Sequence, residues 1–191
     1  MGAALRKAGD TSVWPAAIAA ARFLAVTGWR KGEVLALRWP EIDLARRTAT
    51  LSDSKTGRGV RALSRPACAV LQNQPRMPTG FVFPATRGDG PMTGFPKMWG
   101  RIAKLGELPT DITPHVLRHS FASLAGDLGC SEPTIAALVG HKGRTITSRY
   151  VHSADAVLLA AADAVADRTV DLMGEGDVAD AADVIPLYAR R

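Results

Sequence analysis

Between Trp39 and Leu63 the apolar residues of this 191-residue chain change period, and no other feature limits the fold as strongly. On either side apolar positions recur every three to four residues, the spacing of amphipathic helices. Inside the block they fall into three short runs, Trp39–Leu44, Arg47–Leu51 and Val60–Leu63, which read as strands. The last two are joined by DSKTGRG, a glycine-containing hairpin loop with Lys55 near its start. A meander of short strands between helical segments predicts a mainly α fold with a small three-stranded antiparallel β-sheet, an α+β class.

The helical segments are punctuated by proline and glycine. Helices are expected at Ala3–Ala8, at Pro15–Thr27 with Gly28 as its stop, at Pro66–Asn73 and at Phe95–Leu105. Arg30 falls in the turn after Gly28, and Glu33 lies in the first turn of the next helix, where a carboxylate complements the helix N-terminus. Pro75–Gly94 is mostly loop around a short buried piece, Phe81–Phe83. Thr113 can cap a helix that begins at Pro114, with Leu117, Phe121, Leu124 and Leu128 facing the core. At about 100° per residue, His115 and Arg118 lie about 60° apart on the side away from that stripe, within reach of one ligand. Gly129 ends the helix, Ser131 caps the next, and Ile135, Leu138 and Val139 point inward before Gly140. His141 follows this stop directly and can point into a cleft. Ser153–Met173 forms a last helix with Val157, Leu158, Ala161, Val165 and Leu172 along one face.

Charge is distributed unevenly. Residues 151–191 hold eight acids and three bases, a net of −5, so the +6 of the whole chain leaves +11 on residues 1–150. Such an excess favours a polyanionic partner, because each phosphate neutralised releases counterions. Cys68 and Cys130 stand apart, without metal-ligand spacing, and read as buried thiols of a reducing compartment. No signal-peptide pattern opens the chain and the apolar run Ala16–Ala21 is short, so a cytoplasmic protein without a membrane segment is expected.

Two arginines, a lysine, two histidines and a tyrosine together suit the cleavage of a DNA phosphodiester without a metal or any other cofactor. Attack on phosphorus concentrates negative charge on the non-bridging oxygens, which planar guanidinium groups bind in a two-pronged manner. Histidines donate hydrogen bonds or shuttle protons near neutrality, and a lysine can protonate the departing oxygen. A tyrosine needs a base and cationic surroundings to become a nucleophile, and its phosphotyrosyl ester keeps the bond energy for rejoining. A phosphatase built on Arg118–His119 would want that pair after a strand near the chain start, and here it lies in a late helix. Metal-dependent transposition would want clustered carboxylates, and the acids of residues 1–150 are scattered.

The chain resembles the catalytic domain of the tyrosine recombinases, the phage integrase family, over roughly residues 10–155. Five stretches carry the likeness in order: TGWRKGEVLALRW, SKTGRGVRALS, TPHVLRHSFAS, LVGHKG and TSRYVH, with nine residues from His141 to Tyr150. The resemblance implies that Tyr150 attacks the scissile phosphate, that Arg30 and Arg118 clamp it, and that Lys55 is the general acid. It gives His115 and His141 supporting roles in proton transfer, and makes Glu33 a residue that orients Arg30. His119 is expected to pack rather than react. Arg58, Arg61, Lys142, Arg144 and Arg149 are expected phosphate-backbone contacts.

The family implies double-stranded DNA as partner and a tetramer on DNA, with a monomer in its absence. The expected layout is a catalytic domain over residues 1–173 without the family's N-terminal DNA-clamping domain, followed by an acidic tail over residues 174–191. Site-specific recombination through a 3′-phosphotyrosyl intermediate is the expected function. The alternative is a DNA-binding module of the same fold that does not cleave.

Overall fold

The computed structural model describes residues 1–51, 59–77, 80–141 and 156–174. The expected order of elements is present. Helices α1 (Gly2–Gly9), α2 (Pro15–Thr27) and α3 (Lys31–Ala36) lead through a 3₁₀ turn at Trp39–Glu41 into strands β1 (Ile42–Asp43), β2 (Thr48–Leu51) and β3 (Gly59–Ala62). Helices α4 (Arg65–Gln72), α5 (Phe95–Leu105), α6 (Pro114–Asp127), α7 (Glu132–Val139) and α8 (Ala156–Leu172) follow.

The sheet is an antiparallel meander in the order β1-β2-β3. Its register sets Ile42 opposite Ala49, Ala49 opposite Arg61 and Leu51 opposite Gly59. The first expected strand is shorter than its sequence suggests. Pro40 starts a 3₁₀ turn there, with the Arg38 amide donating to the Glu41 carboxylate at 2.9 Å, and only Ile42–Asp43 remains to pair.

Helix α2 is the hub, and its composition explains why. It is alanine-rich and apolar around most of its circumference, and Ala17, Ala20, Ala21, Phe23 and Leu24 are all buried. Small side chains let neighbours approach on several sides, and α1, α3, α4, α5, α6 and α8 all pack against it. At its C-terminal end Phe23 meets Trp29 edge to face at 5.3 Å and Phe83 at 5.6 Å. A second, smaller core between α6, α7 and α8 contains Phe121, Ala125, Leu138, Val139, Ala162 and Val165.

Three expectations change. Leu128 is 46% exposed, because α6 stops at Asp127 and Leu128 already belongs to the turn that Gly129 completes at φ +77°. Thr113 occupies the N-cap of α6 without a side-chain capping bond, whereas the Ser131 hydroxyl does accept from the Thr134 amide at 3.4 Å. On α8 the buried face is Ala162, Asp163, Val165 and Ala166, while Val157 and Leu172 are 66% and 63% exposed. The helix is turned so that Ala166 joins the main core while Ala162 and Val165 join the smaller core with α6 and α7.

Helix α8 packs on its own domain, against α2, α4, α6 and α7. Polar contacts secure it at two points. The Arg6 guanidinium donates to the Met173 and Gly174 carbonyls at 3.3 Å each, where a cation suits a helix C-terminus. The buried Asp163 accepts from Arg47 Nη1 at 2.7 and 2.8 Å and from the Arg65 amide at 2.8 Å, and it forms an ion pair with Arg65 Nη1 at 3.2 Å. Cys68 is buried and Cys130 half-buried, and both are free thiols.

Candidate anion-binding site

The site begins with how α2 ends. Gly28 takes a left-handed conformation, φ +62°, and a Cβ there would lie 2.7 Å from the Phe121 ring. Only glycine permits that approach. It lets α6 cross directly over the stop of α2, so Arg118, one turn before Phe121, faces the loop that carries Arg30. The Arg118 guanidinium then donates through Nη1 to the Gly28 carbonyl at 2.9 Å and to the Val139 carbonyl.

Arg30 reaches the same place from the other side. Its Nη1 donates to the Gly140 carbonyl at 3.0 Å, so the two guanidinium groups dock on consecutive carbonyls at the end of α7. That end carries unpaired carbonyls and the negative pole of the helix, which attracts cations. Gly140 makes it possible by closing α7 at φ +74°. Its turn bonds, Gly140 amide to Ala137 carbonyl at 3.2 Å and His141 amide to Ala136 carbonyl at 2.7 Å, hold the corner.

Glu33 serves both of the roles read for it. One carboxylate oxygen accepts from the Arg30 amide at 3.0 Å and caps α3; the other accepts from Arg30 Nη1 at 3.0 Å and orients the guanidinium. That second oxygen also faces Arg61 Nη2 at 3.5 Å.

Arg61 is therefore a correction to the expected row of groove-facing residues. It is 7% exposed, buried beneath Gly140, and belongs to the arginine cluster rather than to the surface. The cross-strand neighbour explains the room it finds: Ala49 lies opposite and contributes only a methyl group. Arg61 thus shares one carboxylate with Arg30 on the inner face of β3.

Electrostatics follow from this crowding. Three guanidinium groups and one carboxylate occupy the pocket, and the balance is positive. Burial pushes Arg118 down to about 10, with Arg30 and Arg61 adding to the effect and Glu33 opposing it. Burial also lowers Arg61, against the pull of Glu33. His141, at the rim and exposed, is held below the ordinary histidine value by partial desolvation and by Arg118, Arg30 and Arg61. Among the described residues, Arg118 Nη2 and Arg61 Nε are buried donors without a hydrogen-bond partner. Buried N–H groups left unpaired beside excess positive charge are what an anion would satisfy.

His115 lies elsewhere. It is exposed on α6, and its ring meets His119 edge to face at 4.4 Å, so His119 packs on a surface neighbour rather than in the core. Arg118 turns inward and His115 outward from the same helix. Lys55, Arg58, Lys142, Arg144, Arg149 and Tyr150 lie outside the described residues, as does the stretch 175–191. Among the described residues no group of His, Cys, Asp and Glu could hold a metal ion, and no helix is long and apolar enough to cross a membrane.

The fold is mainly helical with one small antiparallel sheet, and it gathers Arg30, Arg61 and Arg118 around a single carboxylate. A family model, the phage integrase family, matches residues 4–156, and the chain belongs to that family of tyrosine recombinases. Over 128 residues it is 38% identical to the shufflon-specific DNA recombinase of Escherichia coli, covering 66% of this chain and 32% of the relative. The integrase from mycobacterium phage Brujita shares the fold with a TM-score of 0.66 at 18% identity, over 86% of this chain and 56% of that one. The Tn1549 transposon integrase, solved in complex with a circular intermediate DNA, aligns with a TM-score of 0.59 at 23% identity, over 83% of this chain and 61% of that one. The chain thus spans about a third of the length of the shufflon recombinase and less than two thirds of either integrase.

Proposed function

We propose that this chain breaks and rejoins double-stranded DNA through a covalent tyrosine intermediate, as the chemical core of a site-specific recombinase. The observation that carries this reading is the meeting of Arg30 and Arg118, 88 residues apart in sequence, on adjacent carbonyls with unpaired guanidinium donors beside them. A tetrahedral phosphate offers several oxygens to such a cluster, and its charge grows as a fifth oxygen approaches phosphorus.

In the proposed reaction the phenol oxygen of Tyr150 attacks the phosphorus of a backbone phosphate. The bond from phosphorus to the 5′ oxygen breaks, leaving a 3′-phosphotyrosyl ester and a free 5′ hydroxyl. Lys55 supplies the proton that the departing oxygen takes up, and the histidines accept the one that the phenol gives up. Arg30 and Arg118 neutralise the non-bridging oxygens, and Glu33 keeps Arg30 pointed at them. Rejoining runs the same steps backwards with a 5′ hydroxyl as nucleophile, and no nucleotide cofactor is consumed. His141, beside the arginine cluster and biased towards its neutral form, suits proton acceptance, while His115 is exposed on the outer side of α6, apart from that cluster.

The partner is double-stranded DNA in the cytoplasm, bound by a tetramer during recombination, and the chain is a monomer when DNA is absent. The names of the shufflon recombinase and of the Tn1549 integrase complex support DNA as that partner.

The test uses labelled duplexes carrying a nick within random flanking sequence, so that no target site is presumed and the cleaved end diffuses away. Wild-type chain is expected to accumulate a covalent protein–DNA adduct that resists denaturant, and Tyr150→Phe to form none. An adduct that survives in Tyr150→Phe would place the nucleophile elsewhere. Binding of the pool with no adduct from the wild type would favour a binding module instead.

A further inference from the structure

We infer that Arg61 is a positioning residue of this site, locking the Glu33 carboxylate and the Val139–Gly140 corner against which Arg30 and Arg118 are set. The inference rests on the recombinase reading for its effect on chemistry, and on geometry alone for its effect on structure.

The geometry has three parts. Arg61 Nη2 faces the same Glu33 oxygen that orients Arg30, at 3.5 Å, so removing Arg61 leaves that carboxylate with one guanidinium partner and an empty side. The Arg61 guanidinium lies flat under Gly140, where a Cβ would overlap it, so Arg61 forms the floor of the turn whose carbonyl holds Arg30. And Arg61 stands on β3, opposite Ala49 of β2 across the sheet, which anchors it to a paired strand. One side chain thereby ties the sheet to the arginine cluster.

A groove-facing phosphate contact would be exposed and would act through DNA affinity. Arg61 is 7% exposed, and burying a third cation beside Arg30 and Arg118 opposes the like charges already there. A position that works against its own electrostatics is held by packing and by the shared carboxylate, which Arg61 meets through Nη2 alone.

Arg61→Lys, Arg61→Gln and Arg61→Ala are compared with the wild type on the nicked random pool. Expected is a loss of at least about 50-fold in the rate of adduct formation for Gln and Ala, with a partial recovery in Lys, while affinity for the pool stays within about threefold. An adduct rate within threefold of wild type in Arg61→Ala overturns the inference. A parallel loss of affinity and rate overturns it as well, because Arg61 would then be a DNA contact. Failure of the wild type to form adduct, or its persistence in Tyr150→Phe, strikes the recombinase reading and not this one.

A second measurement needs no activity. Amide hydrogen exchange at Gly140 and His141 is expected to quicken at least tenfold in Arg61→Gln, while the core amides of α2 keep their protection. Equal exchange at 140–141 in mutant and wild type overturns the inference, and so does a uniform rise that includes α2, which would mark general destabilisation.

Discussion

At the scale of single residues the site is a problem in placing like charges together. Each guanidinium in the pocket raises the cost of protonating anything beside it, and His141 registers the sum. Its imidazole is expected to titrate below the ordinary value of about 6.5, and Arg118→Gln, by removing the cation that acts on it most strongly, should move it back up. Occupation of the pocket by sulfate should move it in the same direction. Nuclear magnetic resonance of the ring protons measures both shifts, and an imidazole indifferent to Arg118→Gln would contradict the electrostatic account. The sign for stability follows directly. As pH falls, the unfolded imidazole takes its proton first and the folded one later, so acidification between those two values weakens the fold. Glu33 was legible at this scale from its place three residues after Arg30, and both uses of it are realised. Arg61 was not. Nothing in GRGVRALS says which way the arginine turns; the methyl of Ala49 across the sheet leaves the space that lets it turn inward.

At the scale of elements the decisive contact is that between α8 and the sheet–α4 junction. Asp163 is 6% exposed and is satisfied by two arginines and the first amide of α4. Arg47, itself in a left-handed conformation at φ +52°, contributes both a bidentate bond to that carboxylate and a carbonyl that accepts from the Leu63 amide at 2.8 Å. Asp163→Asn removes the charge but keeps the shape, leaving Arg47 half-paired beside buried Cys68. A loss of roughly 2–3 kcal/mol is expected, read as a lower urea midpoint with an unchanged slope. A variant as stable as wild type would show that α8 is held by its apolar face alone. The helix itself is readable from its composition, and Leu158, Ala161 and Val165 of its expected face pack inward, whereas Val157 and Leu172 do not. Large apolar side chains do not by themselves mark the core of this helix, whose buried positions include Ala162 and Ala166.

At the scale of the whole molecule, charge is the property that reaches furthest. Residues 175–191 hold four acids and two bases beside a strongly basic remainder, so on the proposed function they are expected to compete with DNA for the same field. Truncation after Gly174 is expected to tighten binding of a random duplex about two- to fivefold at low salt, an advantage that fades as the Debye length shrinks from about 30 Å towards about 3 Å. Equal affinities at low salt would remove the idea of competition.

The order of helices, the single meander between them and the glycine stops at positions 28 and 140 follow from the sequence itself. They depend on local period and on backbone conformations that only particular residues adopt, and such preferences act between neighbours. Which guanidinium groups share a carboxylate, which of two residues on one turn of α6 faces inward, and that α8 folds back on its own domain were decided only in three dimensions. Those outcomes turn on the volume left by residues far away in the chain, the methyl of Ala49, the missing side chain of Gly28 and the carbonyls at the end of α7, and a linear pattern carries no record of which distant neighbour leaves the room.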